Sequence, residues 1–193
     1  MLYDPEVESP ASIAVIGAGP VGIEAALYGR FLGYDVDLYD VGRPARAARR
    51  WHQRSLQVPV SQCTTPLGHA ALMGHDAEYR RPSPDTIWTG QEFADQYLIP
   101  IAKTDLLIDG IHINSPVVDL SRIRIQPDED VDLQTRANDE FRLLIQSRDR
   151  GWITARADIV LDCRGIEADT YGCAPGGGQA IGEELLAEHA QAW

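Results

Sequence analysis

The segment from Ser12 to Asp40 constrains this chain more than any other. It reads SIAVI, then Gly17-Ala18-Gly19-Pro20-Val21-Gly22, then a small and apolar stretch to Leu32, then Gly33 and YDVDLYD. A short apolar run bounded by glycines predicts a buried strand over residues 12–16. Val21, Ala25, Leu27 and Leu32 give residues 20–32 the character of a helix packed on a sheet. Gly33 supplies a helix stop, and residues 34–40 read as a second strand. Strand, helix and strand in this order require a parallel pair joined by a right-handed crossover.

The glycine spacing adds chemistry to this unit. In G-x-G-x-x-G, Gly17 permits the tight turn out of the strand. Gly19 lets a diphosphate approach bare backbone, and Gly22 lets the helix lie close to the strand. Amides at the helix N-terminus carry partial positive charge and favour that anion. Pro20 fits the first helical turn, where its missing N–H costs nothing, and Val21 follows it. Asp40 closes the second strand about twenty residues on, where an acid can accept hydrogen bonds from both ribose hydroxyls. Its charge opposes a 2′-phosphate, so FAD or NAD fits better than NADP. Val41 and Arg43 would flank the adenine side, although Arg43 and Arg46 are also arginines of the kind that accommodate a 2′-phosphate. A packing unit with tight glycines and no ligand is the plain alternative.

The rest of the chain is less regular. Residues 41–90 are rich in Pro, Gly, His and Arg. They read mostly as long loops over one face of the sheet, with Arg43, Arg46, Arg49, Arg50 and Arg54 crowding the start on one helix and another short helix over residues 67–73. Thr89 or Gly90 caps a helix whose apolar face is Phe93, Tyr97, Leu98 and Ile101, with Pro100 kinking it. Strands follow over residues 110–113, 117–125, 141–147, 152–155 and 159–163. The acidic stretch 126–140 reads as a loop with a short strand at its middle. A helix occupies residues 179–193. The fold class expected is α/β, a Rossmann-like arrangement with a central parallel sheet and an antiparallel β-meander crossover. All 193 residues would form a single domain: fingerprint 12–40, long loops 41–90, meander and final strand 110–165, and the terminal helix.

The stretch IAVIGAGPVGIEAALYGRFLGYDVDLYD resembles the opening of flavoproteins with two dinucleotide-binding domains, among them thioredoxin-reductase-like and flavin-monooxygenase-like oxidoreductases. The resemblance implies that this fingerprint holds the ADP part of FAD. In that family a meander comes next, then a strand ending in a motif close to A-T-G. Residues 110–165 keep that order, and ADIVLDCRG stands where that strand belongs. Its glycine, Gly165, would line the flavin side, while Cys163 and Arg164 depart from the small pair. The family's second fingerprint, for NAD(P)H, and its late glycine–aspartate motif have no counterpart here. The run APGGGQAIGEE, residues 174–184, is either a phosphate cradle or a flexible turn into a helix. The chain thus reads as a flavin-dependent oxidoreductase, as the FAD-binding half or subunit of one, or as a non-catalytic nucleotide-binding subunit that stabilises a partner.

Charge narrows the partners. Twenty-nine acids against 17 bases leave a net charge of -12, which opposes unspecific binding to nucleic acid or anionic membrane. The start MLYDPEVESPAS lacks the apolar core of a signal peptide, and no apolar run reaches spanning length. Three cysteines without C-x-x-C suit a reducing compartment, so a cytoplasmic protein is expected. The short chain is expected to expose an apolar edge, hence to self-associate or to meet a second subunit. Cys63 and Cys163 read as structural thiols before redox ones. His69 and His75, near Cys63, lack the tight ligand spacing of a metal site, and no metal is expected; His52 and His69 could instead face a substrate. Trp51, Trp88 and Tyr79 either stack on a ring or anchor their loop.

Overall fold

The computed structural model describes residues 11–126 and 128–165. The chain divides into two compact units, Met1–Cys163 and Arg164–Trp193. Only Arg164 and Gly165 of the second are described, so the terminal helix, the glycine run 174–184 and Cys173 lie outside the described residues.

In the first unit, β1 (Ser12–Ile16) pairs in parallel with β2 (Asp35–Tyr39) on one side and β7 (Ile159–Asp162) on the other. A two-residue strand, β3 (Ile111–His112), extends the parallel sheet beyond β2, giving the order β3-β2-β1-β7. The sheet is covered on both faces, and the alternation along β1 divides them. Ile13 and Val15 join a core with α1 (Pro20–Phe31), while Ala14 and Ile16 join a second core on the opposite face. That second core is closed by an antiparallel sheet of β4 (Val117–Arg122), β5 (Phe141–Ser147) and β6 (Gly151–Ala157), through Val117, Leu143, Ile145 and Ala157. This is the expected central parallel sheet with an antiparallel meander, which lies between β3 and β7.

Local signals explain the first unit's boundaries. Gly33 adopts φ 89°, and its N–H and that of Tyr34 bond back to Arg30 and Gly29 carbonyls, closing α1. Thr89 caps the next long helical stretch with a reciprocal box, its hydroxyl accepting from Glu92 N–H while the Glu92 carboxylate accepts from Thr89 N–H. That stretch runs through α5 (Gly90–Phe93), a π turn (Ala94–Leu98) and α6 (Ile99–Ala102). The π turn lies immediately before Pro100, where the helix must absorb a missing donor.

Residues 41–90 hold the two expected short helices, α2 (Arg46–Trp51) and α4 (Pro66–His75), and one not expected, α3 (Val60–Cys63), with loops between them; α2 takes in Arg46, Arg49 and Arg50 but neither Arg43 nor Arg54. The apolar residues of these helices, Ala48, Val60 and Leu72, are buried with residues from α5, the π turn and α6. The acidic stretch holds a short helix, α7 (Leu133–Ala137), rather than a strand, because the Asp132 carboxylate accepts from Thr135 N–H and starts a turn. Among the described residues no helix is long and apolar enough to cross a membrane.

Candidate functional site

The glycine turn joins β1 to α1 at the end of the sheet where β1, β2 and β7 all terminate, the edge at which open α/β sheets bind ligands. Gly17 takes φ 103°, which an L side chain resists, and its N–H donates to Tyr39 O at 2.7 Å. The other two glycines have opposite surroundings. A Cβ on Gly22 would lie 1.8 Å from Gly17 O, so no side chain fits between helix and turn. A Cβ on Gly19 would meet nothing within 4 Å. Gly19 is the N-cap of α1, no side chain caps it, and the first intrahelical bond is Ile23 N–H to Gly19 O. The amides of Val21 and Gly22 therefore precede the bonded part of the helix, and Pro20 contributes none.

Asp40 stands beside this turn. One carboxylate oxygen accepts from Ala18 N–H and the other from Gly42 N–H, both at 2.7 Å. The carboxylate straps the glycine turn to the loop after β2, and each oxygen retains a further lone pair. The strap is doubled where Ala45 N–H donates to Ala18 O at 2.8 Å. Ala45 is buried at φ 61°, an arrangement an alanine adopts only when its surroundings impose it. Val41 and Arg43 are exposed on the same loop.

Two open cavities adjoin the turn. One, of about 510 Å³, is bounded by Val41, Asn114, Pro116, Ser147, Arg148 and Trp152, next to Asp40. The other, of about 500 Å³, is bounded by Pro20, Val21, Glu24, Cys63, Thr65 and Leu67, next to Gly19. The residues expected from the sequence thus meet in one place: Gly17, Gly19, Pro20, Val21, Gly22, Asp40 and Val41, with Arg43 at the rim. Gly165 takes φ 71° and belongs to the second unit.

A polar network behind the second cavity was not legible in the sequence. Tyr97 O–H, fully buried on the π turn, donates to Glu24 Oε1 at 2.5 Å and accepts from Thr65 N–H at 2.8 Å. Thr65 Oγ1 donates to Glu24 Oε2 at 2.9 Å and accepts from Gly68 N–H, capping α4. Burial, together with the bond to the Glu24 carboxylate, pushes the Tyr97 phenol well above its ordinary value. Its only local signal is the Thr-Pro pair that opens α4; the pairing of Glu24 with Tyr97 spans the sequence.

His69 belongs to the same layer and is buried. Thr64 hydroxyl donates to Val60 O, so it accepts from His69 Nε2–H at 2.9 Å, and Nδ1 then accepts from Tyr79 O–H at 2.7 Å. Both ring nitrogens are occupied, and burial holds the imidazole below its ordinary pKa. His69 is a core histidine, which corrects its reading as a substrate contact. Trp88 packs with Phe93 and Tyr97, and Trp51 against the same core, so these aromatics anchor the excursion. Burial also pushes the Cys63 and Cys163 thiols up, away from the thiolate that redox chemistry needs.

No protein-family model and no curated protein sequence matches the chain. Solved structures do resemble it. The bacillithiol disulfide reductase Bdr from Bacillus cereus superposes with a TM-score of 0.59 at 12% identity, covering 86% of this chain and 43% of that one. An oxidised steroid monooxygenase bound to NADP gives a TM-score of 0.56 at 16% identity, covering 80% and 26%. OTEMO in complex with FAD and NADP gives 0.53 at 16%, covering 84% and 26%. The fold is therefore the one the resemblance implied, a Rossmann-like fold shared with flavin monooxygenases and a thioredoxin-reductase-like reductase. The chain spans between about a quarter and just under half the length of these structures.

Proposed function

We propose that this chain binds FAD through its ADP half at the first strand–helix–strand unit and serves an FAD-dependent oxidoreductase, as the enzyme itself or as its FAD-binding half or subunit. The observation that carries the reading is the contrast between Gly22 and Gly19. Helix packing explains a glycine at 22, where a Cβ would strike Gly17 O. It does not explain one at 19, where nothing crowds the backbone. Bare backbone facing open space at an uncapped helix start is what an incoming diphosphate requires. NAD, with the same ADP half, is the alternative ligand.

In this reading the amides at Gly19, Val21 and Gly22 hold the diphosphate, with Gly17 shaping the turn. Asp40 accepts the ribose hydroxyls on the lone pairs its two amide partners leave. The cavity at Val41, Asn114 and Trp152 receives adenine, with Trp152 and Val41 offering apolar surface. The cavity at Pro20, Val21, Cys63 and Thr65 lies on the side toward which the remainder of the coenzyme would run. A bound flavin supplies the two-electron chemistry; the protein supplies binding, orientation and field. Glu24 and Tyr97 hold the wall of the second cavity in place, and their donors and acceptors are already committed to each other and to Thr65.

A second reading stands alongside the first, a non-catalytic nucleotide-binding subunit that stabilises a partner. Phe31 and Leu32, at the end of α1, are exposed, which supports a further copy or another chain in the working assembly.

The test is the absorbance spectrum of the purified protein, before and after incubation with FAD, with mass spectrometry of what denaturation releases. A flavin band that bleaches with NADH supports the enzyme. FAD retained only with a second protein, or ADP bound without flavin, supports the subunit. A protein that binds neither FAD, NAD nor ADP overturns both.

A further inference from the structure

We infer, resting on the dinucleotide reading above, that Arg46 is the residue that reads the full negative charge of the coenzyme's diphosphate. The backbone amides of the glycine turn contribute only partial charge. Arg46 is the first residue of α2, and the strained, buried Ala45 before it is bonded to Ala18 of the glycine turn. The start of α2 is thus tied directly to the phosphate hook. The Arg46 side chain folds back over Gly42: a Cβ at Gly42 would lie 3.2 Å from Arg46 Cδ, 3.7 Å from its Nε and 3.7 Å from Asp40 Oδ1. A bare Gly42 leaves room for the arginine stem to pass beside Asp40.

Despite this proximity Arg46 is not held in an ion pair. Arg30, Arg49, Arg124 and Arg156 each pair with a carboxylate, whereas Arg46 has no ion pair among the described residues. The Asp40 carboxylate beside its stem accepts from the Ala18 and Gly42 amides and forms no ion pair with the guanidinium. In a chain of net charge -12, an exposed guanidinium left unpaired at the rim of an anion hook is open to a phosphate, and its planar donors suit two phosphate oxygens. Arg43, three residues earlier and also exposed, lacks the tether to the hook.

The experiment measures affinity of the full chain for ADP, FAD, adenosine and 2′,5′-ADP by calorimetry at two salt concentrations. Arg46→Ala is expected to weaken ADP and FAD roughly tenfold, to change adenosine less than about twofold, and to flatten the salt dependence. Arg46→Lys should recover part of the loss. Gly42→Val, which displaces the stem without removing the charge, should behave like Arg46→Ala. Unchanged melting temperatures keep these effects separate from folding. Equal losses for ADP and adenosine, or none for either, overturn the inference while FAD binding by the parent protein leaves the coenzyme reading intact. A loss confined to 2′,5′-ADP reassigns Arg46 to a 2′-phosphate and also overturns it. If the parent protein binds none of the four, the coenzyme reading itself fails and the inference with it.

Discussion

The glycine turn and the helical layer of residues 46–102 pack against the same helix, α1, yet they spend their polar groups in opposite ways. At the turn, the amides of Val21 and Gly22 have no helical partner and Gly19 faces open space. In the layer, Tyr97, Thr65, Glu24, His69, Thr64 and Tyr79 satisfy one another. Among the described residues no buried side-chain polar atom lacks a partner. A site for a ligand leaves donors free where solvent can wait in the ligand's stead, and a support leaves none, since an orphaned buried group is costly. Substitutions on the two sides should therefore separate stability from binding.

Gly22→Val tests the sharpest contact. Its Cβ would sit 1.8 Å from Gly17 O, so helix and turn must part, and unfolding in urea should report a loss of about 3 kcal/mol or more. Wild-type stability in this variant would mean that the turn is not packed as described. Gly19→Val adds bulk where nothing lies within 4 Å, at ordinary backbone angles. Its stability should stay within about 0.5 kcal/mol, while its affinity for FAD or ADP falls at least about a hundredfold, close to 2.7 kcal/mol. Retained affinity would break the assignment of the turn as a ligand hook.

On the supporting side, Tyr97→Phe removes the donor to Glu24 and the acceptor for Thr65 N–H together. A loss of about 1–3 kcal/mol in stability is expected, with coenzyme affinity nearly unchanged in the folded protein. A large drop in affinity at unchanged stability would move Tyr97 from support to site. The smallest effect concerns His69. Burial lowers its folded pKa below the ordinary 6.5, so the unfolded chain takes up the proton first as pH falls. The stabilisation is complete above about pH 6.5 and is lost as pH drops from there through the folded pKa. His69→Phe should remove this part of the acid slope, seen as a pH-dependent difference in urea midpoints between parent and variant. An identical slope would show that the imidazole ionises in place.

The same contrast governs what could be read in advance. The bounds of β1 and β5 follow from their runs of apolar residues, and α1 starts at Pro20 and stops before Gly33, as the residues themselves dictate. Asp40's place beside the glycine turn was legible because its distance from Gly17 is set by one helix and one strand. Its engagement by Ala18 and Gly42 amides was not, since that depends on how the loop after β2 returns to the turn. The four-residue α3 and the capped turn α7 carry too few residues for a period to emerge.

Residues alone determined the strand–turn–helix–strand unit, the place of the glycines and the acid, and the parallel sense of the central pair, because backbone geometry over a few turns of chain admits little else. Tertiary structure decided that Gly22 is crowded and Gly19 open, that Arg46 folds back past Asp40 without a partner, and that Glu24 meets Tyr97. Those outcomes depend on surfaces brought together from distant parts of the chain, where packing and the need to satisfy buried polar groups outweigh any local preference.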